Sequence, residues 1–528
     1  MNNSAVQAVE TPKAASLRIF NGRKPVLVAP MAVTRDNVVT VLEQAKVVQM
    51  HNQSDCRYLH SYFLGDQPIK SKVNLTRPEI NHVVVENRAY QITKDRTDAL
   101  AGEPITYSAH GNNGAKHGEK SDIDAISHMV QRLNDVCTAA DKHACDLELV
   151  QWMCECGVGY RLILPTQEVE KGDDAEQPFK VVALDPRSTF VVYTNTVSRD
   201  PLYAVTEVVE LVDGASSTVS TVYTADRQFT IRDGKVESEK VNPLGAVPII
   251  EYQANPERMG VFEAVLSLFD AINSVESNRV DGVEQFVQSL LVLENVDIDS
   301  GEFEELKRLG CIKVTSTDSM KANIQLLTAE LNQDQTQTLV DALYKTALSI
   351  CGMPFNTGGS ASTSDTGAAV TMRDGWSNSE SRCKETETFF KRSELRFLRI
   401  ANYIMAQTYS DYSLKASDVE IKFTRRNYEA IQSKTQVLTT LLGCGKVHPR
   451  LAFEYSGMFP DPEAAYDQSS QYVEEQAKKQ QEEFSQASKA TPGDPVAGGD
   501  KGGANAAKNA SGGVTAEGHG DATPVKKA

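Results

Sequence analysis

Two short stretches of the sequence carry residue types and spacings that suggest chemistry. Gly118-Glu119-Lys120-Ser121 has the outline of a phosphate loop, in which a glycine turn and a lysine cradle phosphoryl oxygens. Glu119 stands where the lysine belongs, the glycine spacing is wrong and no strand leads in, so no nucleotide site is expected. Ser121 with Asp124 reads more simply as a capping box that opens a helix. Cys154 and Cys156, with His143 and Cys145 upstream, are close enough to share a metal ion, but a structural zinc site takes about four ligands. Buried free thiols are the expectation there. HExxH, GxSxG, Walker A and CxxC patterns are absent, and the nine histidines show no ligand spacing. No catalytic residue, metal or cofactor is assigned. Carboxylates are numerous, and a hydrolytic pair among them would come together only in three dimensions.

The 528 residues suffice for two to four domains with a sizeable core. The formal net charge of −17 argues against a protein that grips nucleic acid, which takes clustered Lys and Arg. It fits an ordinary acidic cytosolic protein. The nine cysteines are scattered and follow a polar N-terminus without a secretory signal, so free thiols in a reducing cytoplasm are expected. No apolar run approaches the ~18 residues a membrane helix requires.

The elements that would position any site fall in a clear order. A loose leader (residues 1–30) precedes a helix from about Asp36 to Gln49. An aromatic-rich stretch from Tyr58 to Phe63 ends in a Gly65-x-x-Pro68-Ile69 turn. A valine-rich strand (Asn81–Asn87) leads to a helix from Ala89 to Leu100, stopped by Gly102 and Pro104. A helix carrying Ile126, Met129, Leu133, Val136, Ala140 and Leu147 ends near Gly157. Strands then follow at 160–164, 181–184, 189–193, 203–211, 218–223 and 229–231, the last with an Asp233-Gly234 turn. A helix from Val261 to about Leu293 carries Phe262, Leu266 and Phe269. A small αβ module at 294–330 has acids at Asp297, Asp299, Glu302, Glu304 and Glu305, bases at Lys307 and Arg308, and a strand Cys311–Thr315 that includes Lys313.

The organising stretch is 331–409. A helix over 332–351, with Leu339, Leu343, Ala347 and Ile350 near helical spacing, runs into Gly352-Met353-Pro354. A glycine/serine loop follows: Asn356, Thr357, Gly358, Gly359, Ser360, Ala361, Ser362, Thr363, Ser364 and Asp365. It has no apolar face to bury and should be mobile. Thr366 to Tyr409 contains no proline and is long enough for a helix of roughly 65 Å at ~1.5 Å per residue. Its first half is polar, while Phe390, Phe397, Ala401 and Ile404 stripe its second. A strand at 419–423 and helices over 427–443 and 462–484 follow. The Gly/Ala/Ser/Lys-rich segment from about Gln486 is expected to be disordered.

Helix, Gly-x-Pro, glycine/serine loop, Thr366-Gly-Ala-Ala-Val370 and a very long helix together resemble the stem, tunnel loop and tunnel helix of tailed-phage portal proteins of the SPP1 type. Further stretches resemble the same family: Gly102-Glu-Pro104-Ile105-Thr-Tyr107, Asp185-Pro186 before Phe190–Tyr193, Leu244-Gly245-x-Val247-Pro248-Ile249-Ile250-Glu251-Tyr252, and Leu268-Phe-Asp270-Ala-Ile-Asn273. The resemblance covers about residues 30 to 480. It implies an α+β portal fold: a β-rich wing (31–259, with a return strand at 410–426), stem helices (260–293 and 331–351), a clip (294–330), a tunnel loop (352–365), a tunnel helix (366–409), a crown (427–485) and a tail (486–528).

It also implies a homo-oligomeric ring, in this family a dodecamer, at one capsid vertex of the virion, assembled in the host cytoplasm. Double-stranded DNA would pass along its axis without sequence-specific contact and without a membrane. Terminase, the head-completion (adaptor) protein, the major capsid protein and scaffolding protein would be its partners. Asn356 to Asp365 would face DNA. Glu302, Glu304, Glu305, Lys307, Arg308 and Lys313 of the clip would face terminase or adaptor. Phe262, Leu266, Phe269, Leu339, Leu343 and Ile350 would pack the stem. A cytosolic multidomain enzyme with a scaffold helix, and a shorter phage ring such as a connector, stand as the alternatives.

Overall fold

A computed structural model describes residues 22–75, 78–109, 120–166, 177–212, 215–287, 290–294, 323–327, 333–355, 376–424, 431–459 and 462–489. The tunnel-loop and clip residues named above therefore lie outside the described residues, as do the strand expected at 311–315 and most of the expected tail. The chain divides into two compact units, Met1–Pro462 and Glu463–Ala528.

The elements of the first unit are β1 (Val26–Val28), α1 (Val38–Phe63), α2 (Arg88–Ala101), β2 (Thr106–Ala109), α3 (Lys120–Ala139), α4 (Lys142–Cys156), β3 (Val158–Pro165), β4 (Phe179–Leu184), β5 (Thr189–Thr194), β6 (Pro201–Val212), β7 (Ala215–Thr224), β8 (Arg227–Arg232), β9 (Lys235–Val241), β10 (Ile249–Gln253), α5 (Leu266–Val287), β11 (Leu290–Glu294), β12 (Asn323–Leu327), α6 (Gln333–Cys351), α7 (Trp376–Thr408), β13 (Val419–Lys422), α8 (Ile431–Gly443) and α9 (Pro449–Ser456). The long helix α10 (Pro462–Lys489) begins at the last residue of the first unit, and its residues 463–489 are the described part of the second. The molecule is thus mixed α+β.

A six-stranded sheet runs in the order β1-β5-β6-β7-β8-β9, antiparallel except where β1 joins β5 in parallel. Asp233 and Gly234, with φ of 46° and 77°, make the left-handed pair that a two-residue hairpin needs between β8 and β9. Val38, Val41, Leu42 and Ala45 of α1 cover the inner face of this sheet over Phe190, Val192, Tyr203, Val205 and Phe229. A three-stranded sheet, β10-β3-β4, packs against it through Tyr160, Leu162, Val191, Tyr193 and Ala204. β13 pairs with β2, and β11 with β12.

Several expectations need correction. Residues 22–30 are no loose leader: Val26–Val28 is a sheet edge, and buried Arg23 donates to Glu263 Oε1 at 2.6 Å. The helix expected from Asp36 to Gln49 continues without a break to Phe63, because no proline or glycine interrupts it. The single helix expected from Ile126 to Gly157 is two, broken where Asp141 takes φ 51°, a left-handed conformation that Asp tolerates. The first stem helix stops at Val287, and Leu290–Glu294 is a strand held by Asn323–Leu327 across the inserted module. Asn81–Asn87 is extended but joins no sheet, for a reason given below.

α4 is buried on nearly every side, which is why its apolar residues follow no single stripe. It ends at Gly157, φ +79°, where an added Cβ would fall 2.2 Å from the Arg258 carbonyl oxygen. Only glycine fits both the left-handed turn and that approach. α4 thus becomes the hub on which α2, β3 and α7 close the largest core, through Leu100, Leu149, Met153, Ile163, Phe390, Phe397 and Ala401.

Candidate functional site at the roots of residues 356–375

The long helix α7 and the end of α6 meet at one side chain. Arg96 lies on the buried face of α2, with Ala89, Ile92 and Leu100 at helical spacing around it, and is 4% exposed. Its Nη2 donates to the carbonyls of Cys351 at 2.8 Å and Gly352 at 3.1 Å, and its Nη1 to that of Ser379 at 3.3 Å. Cys383 Sγ at 3.3 Å and Met353 Sδ at 3.5 Å complete the surroundings. Cys351 closes α6 and Ser379 lies in the first turn of α7, so one guanidinium ties both ends of the segment that runs through 356–375.

Among the described residues no carboxylate pairs with Arg96. The last carbonyls of α6, the negative end of a helix dipole, supply the compensating charge. Gly352 turns the chain there with φ +63°, and a Cβ on it would come within 2.6 Å of Arg382 Cγ.

The second stem contact explains the extended stretch at 81–87. The N–H groups of His82, Val84 and Glu86 alternate along it, as in a strand. They donate to Asp281 Oδ1 (2.7 Å), Ser277 Oγ (3.0 Å) and Asn273 Oδ1 (2.8 Å). Those acceptors are spaced by four residues on α5. Two extended residues advance about 6.6 Å and one helical turn about 5.4 Å, near enough for side chains to bridge the two repeats. A helix face therefore takes the place of a neighbouring strand. Burial opposes ionisation of Asp281, but hydrogen bonds from Lys72 Nζ and His82 outweigh it and hold the carboxyl below its usual range.

The third contact locks the apolar half of α7. Glu394 sits between Phe390 and Phe397 on the stripe. Its Oε2 accepts from Arg161 Nη1 at 2.7 Å and Tyr252 OH at 2.6 Å, and its Oε1 from Tyr107 OH at 2.5 Å. Lys142 Nζ lies 3.0 Å from the same carboxylate and bonds Asp146 at 2.5 Å, while Arg161 also reaches Asp146. Two cations face two anions, all with side chains 3% exposed or less. Burial works to raise the Glu394 carboxyl, but Arg161, Lys142 and the two tyrosine hydroxyls reverse it and hold it at about 2.

Of the stem residues singled out in the sequence, Phe262, Leu266 and Phe269 are buried with Leu348 and Met353 in one cluster, and Leu343 packs partly against it. Leu339 and Ile350 are not brought into that cluster; they are 49% and 48% exposed on the outer face of α6. Cys154 and Cys156 point to different neighbours: Cys154 lies in the core with Phe390, and Cys156 beside Cys56 and Trp152. Burial pushes the Cys154 and Cys351 thiols up to about 12, far from the thiolate that metal binding or nucleophilic attack requires. Among the described residues no group of three or more His, Cys, Asp or Glu could hold a metal, and no helix is long and apolar enough to cross a membrane. The arrangement holds α7 in fixed relation to α2 and to the end of α6.

Sequence reasoning did not single out Arg96, Arg161, Lys142, Asp146 or Glu394. The signal was present for two of them. Glu394 interrupts the Phe390–Phe397 stripe, and Arg96 falls four residues after Ile92 and four before Leu100, where a charge needs a buried partner.

These features describe an α+β protein in which α5 and α6 share one apolar cluster and the long helix α7 is tied to the end of α6. Residues 47–489 match the family model described as phage portal protein, SPP1 Gp6-like, and the chain belongs to that family, which is structural and not enzymatic. It is also similar to the protein named "Portal protein" of Bacillus phage SPP1, 25% identical over 292 residues. That alignment covers 50% of this chain and 52% of the relative, so the chain spans about half the length of the curated protein it matches.

Proposed function

We propose that this protein assembles into a ring, a dodecamer, at one vertex of a phage capsid and forms the channel through which double-stranded DNA is packaged by terminase and later leaves. The observation that carries this reading is the Arg96 joint, which roots a glycine/serine segment between a stem helix and a long helix in a chain of portal family. In the ring, residues 356–365 face the axis, where hydroxyls and glycines offer DNA only weak, yielding contact. Asp365 repels phosphate, and the net charge of −17 works in the same direction. Residues 294–330, with Glu302, Glu304, Glu305, Lys307, Arg308 and Lys313, meet terminase during filling and the head-completion protein afterwards. The outer parts of the subunit meet capsid and scaffolding proteins. The ring is built in the host cytoplasm and stays in the virion.

Negative-stain microscopy of the purified chain tests the reading directly. Rings with a central hole are expected; particles that stay single and compact under every assembly condition would refute it. Deleting Thr357–Ser362 is expected to leave rings intact and to lower packaged DNA, read as nuclease-protected genome. Full packaging by that variant removes the loop from the mechanism.

A further inference from the structure

An open groove of about 660 Å³ runs beside the C-terminal half of α7. Leu395, Ala406 and Leu414 give it apolar walls, and Arg399, Asn402 and Lys415 also line it. No carboxylate lines it, and among the described residues Arg399 and Lys415 make no salt bridge, in a chain whose net charge is −17. Asn402 is 6% exposed; its Oδ1 accepts from Tyr412 OH at 2.8 Å, but its Nδ2 has no acceptor. A buried amide without a partner costs stability until something supplies an oxygen. A phosphodiester strand would use the two cations and leave the apolar walls wet. A peptide with apolar side chains, a carboxylate and backbone carbonyls satisfies all three features.

The same chain carries such a peptide. β6 pairs with β5 only as far as Thr206, and β7 pairs with β8 only from Val219 onward. Glu207 N–H still donates to the Ser188 carbonyl and Asp233 N–H to that of Thr218, so residues 208–212 and 215–217 extend past the sheet as a two-stranded arm. On it Val208, Val209 and Leu211 are 55%, 64% and 80% exposed. Glu210 stands between them, held among the described residues by a surface contact to Arg232 that is cheaply exchanged.

We propose that the arm of one subunit lies in the α7 groove of a second copy. Val209 and Leu211, on one face of the strand, rest on Leu395, Ala406 and Leu414. The arm enters edge-on between the groove's two walls, so Glu210, on the opposite face of the strand, meets Arg399 and Lys415 while a backbone carbonyl of the arm takes the Asn402 amide. One arm and one groove per chain is the arrangement a closed ring of identical, head-to-tail contacts requires. The inference rests on the ring reading and adds one contact between neighbours.

The test uses the full chain with exposed Cys444, and Cys311 of the inserted module, changed to Ser. Ala406→Cys and Leu211→Cys are combined in one chain and the oligomer is oxidised. The expected result is a ladder of covalent multimers on a non-reducing gel, absent when either cysteine is introduced alone. Oligomers that give no ladder, or a cross-link closed within one chain, overturn the contact and leave the ring reading standing. A chain that never forms oligomers counts against both. In parallel, Arg399→Glu with Lys415→Glu is expected to lower the assembled fraction about tenfold. The monomer's melting curve should be unchanged, and adding Glu210→Lys should restore assembly. Undiminished assembly overturns the proposal. So does loss of binding to short duplex DNA with assembly intact, which would make the groove a phosphate seat.

Discussion

At Arg96 a buried cation is held by carbonyl oxygens alone, so the shape of the donor matters more than its charge. Lysine would keep the charge but replace a planar fork with a point, and cannot reach both α6 and the first turn of α7 at once. Arg96→Met should cost about 1–3 kcal/mol for each carbonyl that water does not rescue, and Arg96→Lys less. Denaturant unfolding measures this, and protease cleavage within 356–375 should quicken in both variants. Unchanged midpoints and cleavage would show that the joint carries no load. Glu394→Gln leaves Arg161 and Lys142 facing one anion and should cost about 3–5 kcal/mol, the usual result of breaking a buried ion network. The sign with pH follows from the depressed carboxyl. Its contribution is complete above about pH 4.5, the ordinary glutamate value, and is lost as pH falls from there toward 2. Unfolding free energies at pH 7 and pH 3 should therefore differ more in the parent than in Glu394→Gln, and equal differences would contradict the network. Both residues show what one-dimensional reading misses. Their positions on apolar stripes are visible in the chain, but the partners lie hundreds of residues away, Arg96 to Cys351 across 255 and Arg161 to Glu394 across 233.

Elements were legible where their own side chains decide them. Strands β3 to β8 alternate or run apolar, and helices α6 and α7 follow the 3.6-residue period, so their existence was readable from the sequence. Misreadings fall where a distant element decides. Asn81–Asn87 has a strand's composition, yet its partners are the Asn273, Ser277 and Asp281 side chains, and no local pattern reports that. Leu290–Glu294 prolongs a helical pattern but is drawn into a strand by Asn323–Leu327, about thirty residues on. The α5 contact yields a prediction at this scale. Ser277→Ala orphans the Val84 N–H and should cost about 1–2 kcal/mol, whereas Ser274→Ala, exposed and bonded only to its own helix, should stay within about 0.5 kcal/mol. Equal effects in thermal unfolding would mean that the extended stretch is held by something else.

For the whole molecule the question is which apolar surface is internal and which is left for a neighbour. Phe269 is 1% exposed inside its own subunit, so Phe269→Asp buries an unpaired charge and unfolds the stem of the monomer before any ring can report on it. Leu339 and Ile350 are different. Eleven residues, or three turns, separate them on one face of α6, and Val280 and Val283 are likewise 37% and 47% exposed on α5. A monomer does not profit from two such faces on adjacent helices, while an oligomer that packs them against a neighbour does. Leu339→Asp with Ile350→Asp should thus leave the monomer's melting temperature within about a degree or two, since surface changes rarely exceed ~0.5 kcal/mol. The same variant should abolish rings in light scattering and microscopy. Phe269→Asp should lower the melting temperature itself. Rings that persist in the double aspartate variant would place the subunit interface elsewhere on the chain.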